Sequence, residues 1–183
     1  MFKFKLKTLV VFINFFLFFM ACSKKMNPVP TWSFEKKAIT INYKSDLLLN
    51  AFGGNPHTLM IVVYQMSKPD SFNQFIQYPA GIRKLLNQNI SSPDILSHKR
   101  FFIEPNSSGK LLLDRAEGAK WLGIVAGYYA LEPDKSARIF KIPYKIEEKG
   151  FIRKKKIAVI PKVRITVFFT KNSIQVEKIS GRD

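Results

Sequence analysis

The sequence has little of what catalysis and cross-linking usually require. It holds one cysteine, Cys22, and two histidines, His57 and His98, among 183 residues. A single thiol excludes an intrachain disulfide, so the fold must be held by burial alone. Neither histidine has a Cys, Asp or Glu at ligand spacing, which removes zinc and iron chemistry from consideration. No G-x-S-x-G elbow and no S-x-x-K is present, so a nucleophile paired with a base has no recognisable setting. Gly53-Gly54 and Gly118 lack the strand–loop–helix frame of a phosphate-binding loop. The adjacent carboxylates Glu147 and Glu148 stand beside Lys145 and Lys149 and read as a solvated ion cluster. The residues therefore point away from an enzyme, with no catalytic, metal or cofactor site expected.

Acidic residues are also scarce: 13 Asp and Glu against 30 Lys and Arg, a formal charge of +17. Such a balance raises nucleic acid as a partner. The first residues argue against that. Lys3, Lys5 and Lys7 are followed by the apolar run Thr8–Met20 and then by Ala21-Cys22-Ser23. A basic start, an apolar stretch of about a dozen residues and a small residue describe a secretory signal, too short to span a bilayer comfortably. Cysteine directly after Ala21 indicates the lipoprotein variant: cleavage between Ala21 and Cys22, with a covalent lipid on Cys22. Phe19 and Met20 depart from the usual leucine and small residue at that cut. An exported chain does not meet chromosomal DNA, so a solvated lysine-rich surface, acidic lipid headgroups or an acidic partner remain as explanations of the charge.

Residues 1–21 are thus expected as signal peptide and 22–31, polar, basic and proline-bearing, as a lipidated tether. Residues 32–183 are long enough for one domain with a sizeable core. Trp32–Tyr43 alternates and predicts a strand. Lys44–Pro56 then breaks the pattern. Gly53-Gly54-Asn55-Pro56 is turn chemistry, yet Leu47, Leu48, Leu49 and Phe52 are apolar. These either tuck under the edge of the fold or face a partner. Leu59–Tyr64 is a continuous β-rich run, as in a strand covered on both faces.

Helices are expected next. Ser71 and Gln74 have the form of a capping box before Phe72, Phe75 and Ile76. Pro79 and Gly81 interrupt, a further turn carries Ile82, Leu85 and Leu86, and Ser92-Pro93-Asp94 starts another. The helical insertion runs over about 70–98. Strands return at Phe101–Glu104 and Lys110–Leu113. Trp121–Leu131 suits a buried helix or a strand by length, but its glycines and Ile124-Val125 favour strand, with Gly123, Ala126 and Gly127 letting another layer approach. Ala137–Tyr144 and Ile157–Ile160 read as strands joined by the basic connector Lys145–Lys156. Val163–Phe169 and Ile174–Ile179 form a hairpin turning at Lys171-Asn172-Ser173. About eight strands with regular turn signals predict a mainly β protein, an antiparallel two-sheet β-sandwich with a small helical insertion.

In order behind the Cys22 site, several segments resemble one family. They are the tryptophan-led first strand, Asp46–Asn50 with its glycine turn, Ile61-Val62-Val63-Tyr64-Gln65-Met66, Phe72, Asp94-Ile95-Leu96, Phe102-Ile103-Glu104-Pro105, Gly118–Tyr128 and Ala137-Arg138. The chain resembles the outer-membrane lipoprotein of bacterial type VI secretion systems, the TssJ (SciN, VasD) family. Met66, Tyr129 and Phe140 depart from that family's usual leucine, arginine and tryptophan, and the basic insert after Tyr144 has no clear counterpart. The resemblance implies a transthyretin-like sandwich, held by lipid at the outer membrane and facing the periplasm. It also implies binding to the periplasmic C-terminal part of the inner-membrane protein TssM, with no nucleic acid or small-molecule substrate. The family's contact loop corresponds to Lys44–Pro56, so Leu47, Leu48, Leu49, Asn50, Phe52, Gly53 and Gly54 are the expected partner-binding residues. The alternative is a periplasmic lipoprotein that holds a small molecule or peptidoglycan, which would require an apolar pocket with convergent polar groups.

Overall fold

The computed structural model describes residues 27–88, 90–151 and 154–182. The signal, Ala21 and Cys22 lie outside these residues. Strand β1 (Glu35–Ser45) is followed by a loop, β2 (Leu59–Met66), helix α1 (Asp70–Ile76), helix α2 (Pro79–Asn87), β3 (Ile95–Ile103), β4 (Ser108–Arg115) and β5 (Trp121–Ala126). A one-turn helix α3 (Pro133–Ser136) then precedes β6 (Ala137–Lys141), β7 (Lys145–Lys149), β8 (Lys155–Val159), β9 (Lys162–Phe169) and β10 (Ile174–Arg182).

Two four-stranded sheets, ordered β10-β9-β1-β4 and β3-β2-β5-β6, face each other, and β7-β8 forms a separate two-stranded ribbon. The mainly β sandwich expected from the pattern is therefore present. Within it one pairing is parallel: β1 runs alongside β9 with Ile39 opposite Val163 and Ser45 opposite Phe169. The other pairs are antiparallel.

Alternation explains why the sheets stack. Ile39 and Ile41 of β1, Ile165 and Val167 of β9, and Leu59, Ile61 and Val63 of β2 meet in one core with Leu122 and Ile124 of β5. The intervening residues of β2, Val62, Tyr64 and Met66, point to the opposite face. There they pack with Phe72 of α1 and Ile82, Leu85 and Leu86 of α2 in a second core. β2 is thus covered on both sides, which is why its sequence is apolar without interruption. The residues of both cores lie between Trp32 and Ile174, so the packed unit is self-contained.

Gly123 of β5 marks where the helical layer comes closest. A Cβ built there would sit 2.4 Å from Cζ of Phe72. The close approach expected around Gly123 is realised, with a phenyl ring as the approaching group.

Four local expectations are corrected. The Ser71–Gln74 capping box does not form: Pro69 is the N-cap of α1, and the Ser71 hydroxyl donates instead to Oδ2 of Asp94 at 3.2 Å. Pro79 does not interrupt a helix but opens α2, where a missing N–H costs nothing. The helical insertion ends earlier than residue 98. Ser92-Pro93-Asp94 leads directly into β3, which begins at Ile95 and pairs along β2 as an edge strand. The connector Lys145–Lys156 is not a loop, since Lys145–Lys149 forms β7 and pairs antiparallel with β8.

Candidate functional site

At the end of the sandwich where β1 finishes, three loops converge, and the β1–β2 loop is the longest of them. Its backbone is fixed at several points. The Asp46 amide donates to the Phe169 carbonyl at 2.9 Å, and Asp46 Oδ1 accepts the Leu48 amide at 2.8 Å. Phe52 and Asn55 exchange backbone hydrogen bonds at 3.0 and 3.1 Å around Gly53 and Gly54, whose φ values are +59° and +84°. Two consecutive positive φ angles define a tight two-residue turn that glycine adopts without strain. A Cβ at either glycine would meet nothing within 4 Å, so the turn projects into solvent.

The sequence left open whether the loop's apolar side chains go inward or outward. The structure divides them. Leu47, Leu48 and Phe52 are exposed, at 66 %, 43 % and 64 %. Leu49 is wholly buried among the sandwich residues. Asn50 is also buried, with a left-handed φ of 49°. Its Oδ1 accepts the Tyr129 amide at 2.9 Å and its Nδ2 donates to the Thr58 carbonyl at 3.3 Å. Leu49 and Asn50 are therefore corrected from contact residues to supports. The leucine plugs the loop into the core, and the amide ties it to the chain after β5. Gly53 and Gly54 supply the turn that presents Phe52.

Tyr129 belongs to the same surface and was not singled out in the sequence, where it lies in an apolar run. β5 ends at Ala126, and beyond it Tyr128 and Tyr129 face opposite ways. Tyr128 is buried, and its hydroxyl donates to the Ser173 carbonyl at 2.8 Å, which fastens the β9–β10 turn. Burial pushes its phenol above the ordinary tyrosine range, with Arg138 opposing weakly. Tyr129 is 56 % exposed and stacks on Phe52, ring centroids 4.8 Å apart and planes inclined by 22°. His57 meets Tyr129 edge-on at 5.0 Å. A cleft of about 340 Å³ beside this pair is bordered by Asn50, Phe52, Tyr129 and Lys171.

The chemistry of this end is that of contact: exposed aliphatic and aromatic side chains on a backbone held by buried hydrogen bonds. His98 lies elsewhere, on β3 opposite Tyr64. Among the described residues, no three of His, Cys, Asp and Glu come together to hold a metal ion.

A two-sheet sandwich with a helical layer on one face and an apolar loop end is the architecture of a binding lipoprotein of the bacterial envelope, and sequence comparison gives the family. The profile of the type VI secretion lipoproteins (VasD, EvfM, TssJ) matches residues 37–172, and the chain belongs to that family. Solved structures agree in fold. The T6SS lipoprotein TssJ1 from Pseudomonas aeruginosa is 16 % identical with a TM-score of 0.55, over 84 % of this chain and 98 % of that one. Lip from Serratia marcescens, a membrane-bound component of the type VI secretion system, is 19 % identical with a TM-score of 0.58, over 80 % and 98 %. A chain of the structure described as the T6SS protein TssM C-terminal domain from EAEC is 13 % identical with a TM-score of 0.54, over 76 % and 97 %. No curated protein sequence matches this chain.

Proposed function

We propose that this type VI secretion lipoprotein is cleaved between Ala21 and Cys22, carries lipid on Cys22, and sits on the periplasmic face of the outer membrane. Its non-catalytic task is to bind the periplasmic C-terminal part of a TssM-like inner-membrane protein, so that one polypeptide contact joins the two membranes. The observation that carries the binding surface is the exposed group Leu47, Leu48, Phe52 and Tyr129 on a rigid loop end. Large apolar side chains standing together on a fixed backbone mark interaction sites. Ones that fill a partner's pocket each cost roughly 2 kcal/mol or more when truncated. Membership of the family and the basic–apolar–Cys22 leader support the anchored placement.

The anchoring half is tested in cells. A Cys22→Ser variant is expected to fold and to bind its partner yet fail to support secretion. Normal secretion from that variant would make the lipid incidental and overturn this half of the reading.

A further inference from the structure

The other end of the sandwich, where β1 begins, carries a different surface. The chain reaches it through Trp32, whose carbonyl accepts the Gly118 amide at 2.7 Å. The Trp32 ring packs edge-on against Tyr144, 6.4 Å between centroids. Tyr144 immediately precedes the β7–β8 ribbon, and Glu35, Lys145, Glu147 and Lys162 border one hollow at its base. The ribbon therefore leaves the body beside the incoming tether. The apolar loop lies at the far end of β1, roughly 35 Å away at ~3.3 Å per strand residue.

Three features of the ribbon have no role in the sandwich. It joins neither large sheet, and an isolated two-stranded ribbon is marginal in water. Residues 145–159 carry six Lys and Arg against two Glu, and Lys149 stands directly across from Lys155, both exposed. Like charges in directly opposed positions destabilise a strand pair. Next to that pair, Phe151 is fully exposed. A cationic ribbon with a bare aromatic near its tip matches the layered chemistry of a lipid surface. There, phosphates attract lysines and the headgroup–acyl boundary accepts an amphipathic or apolar ring.

We infer that the β7–β8 ribbon is a second membrane contact, with Lys149, Lys155 and Lys156 on anionic lipid phosphates and Phe151 in the interfacial layer. Its placement draws on the proposed lipid at Cys22: the ten residues from there to Trp32 span at most ~35 Å. That length keeps the ribbon, not the apolar loop, close to the bilayer. Two contacts, one covalent and one electrostatic, would fix the orientation of the sandwich and leave the apolar loop facing away from the lipid.

The test uses the chain from residue 27, which contains both cores and has no lipid site, in co-sedimentation with vesicles. One set is phosphatidylcholine alone; the other is phosphatidylcholine mixed with phosphatidylglycerol. Binding is expected only to the second set and should weaken as salt is raised. Lys149→Gln, Lys155→Gln and Lys156→Gln together should reduce it about a hundredfold. Phe151→Ser should reduce it about tenfold with the salt dependence kept. Circular dichroism of each variant checks that the sandwich is intact. Equal binding to both vesicle sets, binding unchanged in the triple variant, or no binding to the anionic set would overturn the inference. The last result would assign the cations to an acidic protein surface. Because Cys22 is missing from the tested chain, none of these failures touches the lipidation reading.

Discussion

The amide N–H of Tyr129 donates to Oδ1 of Asn50 at 2.9 Å, although 79 positions separate the two in the chain. This one contact sets the apolar loop end in register with the segment after β5, and so places Phe52 within stacking distance of Tyr129. Asn50→Ala should remove it together with the bond to Thr58, and would force a Cβ-branch-free but still L-chiral residue to hold φ near 49°. The expected loss is about 2–4 kcal/mol, from two deleted hydrogen bonds and left-handed strain. Asn50→Gly should recover only the conformational part. Chemical denaturation of the three proteins distinguishes the two contributions.

The second prediction concerns the helical layer. Gly123→Ala would drive a methyl group into the Phe72 ring. Overpacking of this kind costs about 1–3 kcal/mol, which for a domain of this size lowers Tm by roughly 2–10 °C. Gly123→Ala combined with Phe72→Leu should be closer to the wild type than the sum of the single losses. Strict additivity in thermal melts would mean that the two positions do not touch.

A third prediction rests on a buried guanidinium. Arg115 is 3 % exposed and pairs with Oε2 of Glu35 at 3.0 Å, while its Nη2 also donates to the Ser33 carbonyl at 3.3 Å. Its Nε and Nη1 are buried without a hydrogen-bond partner in the described structure. Glu35→Gln would leave the cation without this countercharge and should cost about 2–4 kcal/mol. Arg115→Met with Glu35→Gln should cost less than Glu35→Gln alone, because the stranded charge is gone. A double-mutant cycle measured by denaturation gives the comparison.

Alkaline pH supplies the fourth. Tyr64 is wholly buried, and its hydroxyl donates to the Leu85 carbonyl. Burial raises its pKa from 10.0 to about 12, with Arg100 pulling the other way. The folded state therefore keeps a proton that the unfolded state releases. This contribution to stability is complete below pH 10 and is lost as the pH rises from about 10 to 12, by an amount on the order of 2–3 kcal/mol. Denaturation between these limits should show a shallower decline for Tyr64→Phe than for the wild type, despite the variant's lower starting stability.

The parts of the fold that burial writes into the sequence were the legible ones. β2 and β5 are covered on both faces and read as unbroken apolar runs, while β9 and β10 alternate about a short turn. The Ile82, Leu85 and Leu86 stripe gave α2 because those three residues face the outer side of β2. Less legible were elements whose partner is settled by tertiary placement. Ile95–Arg100 of β3 is an edge strand with its Ser, His, Lys and Arg in or near solvent, so it lacks an apolar signature. β7 is mostly charged and pairs only with β8, and the parallel match of β1 with β9 has no local mark at all. Ser71 satisfied the capping spacing but found Asp94 instead.

The loop end was half legible. Composition marked the stretch Leu47–Phe52, but Leu47, Leu48 and Leu49 are chemically identical, and only the turn begun at Asp46 decides which one enters the core. Asn50 signals its role weakly, as a residue that tolerates a left-handed backbone. Tyr129 stood in an apolar run whose strand stops three residues earlier than its hydrophobicity does, so its exposure depends on where β5 ends.

The most direct measurement is a calorimetric titration of the periplasmic C-terminal domain of TssM from the same bacterium into the chain from residue 27. It would be made for the wild type and for Leu48→Ser with Phe52→Ser. Both side chains are exposed, so the double variant should keep its fold and its melting temperature. The account predicts at least a hundredfold weaker binding, since two anchors at roughly 2 kcal/mol each are lost. Unchanged affinity in the folded double variant would contradict it.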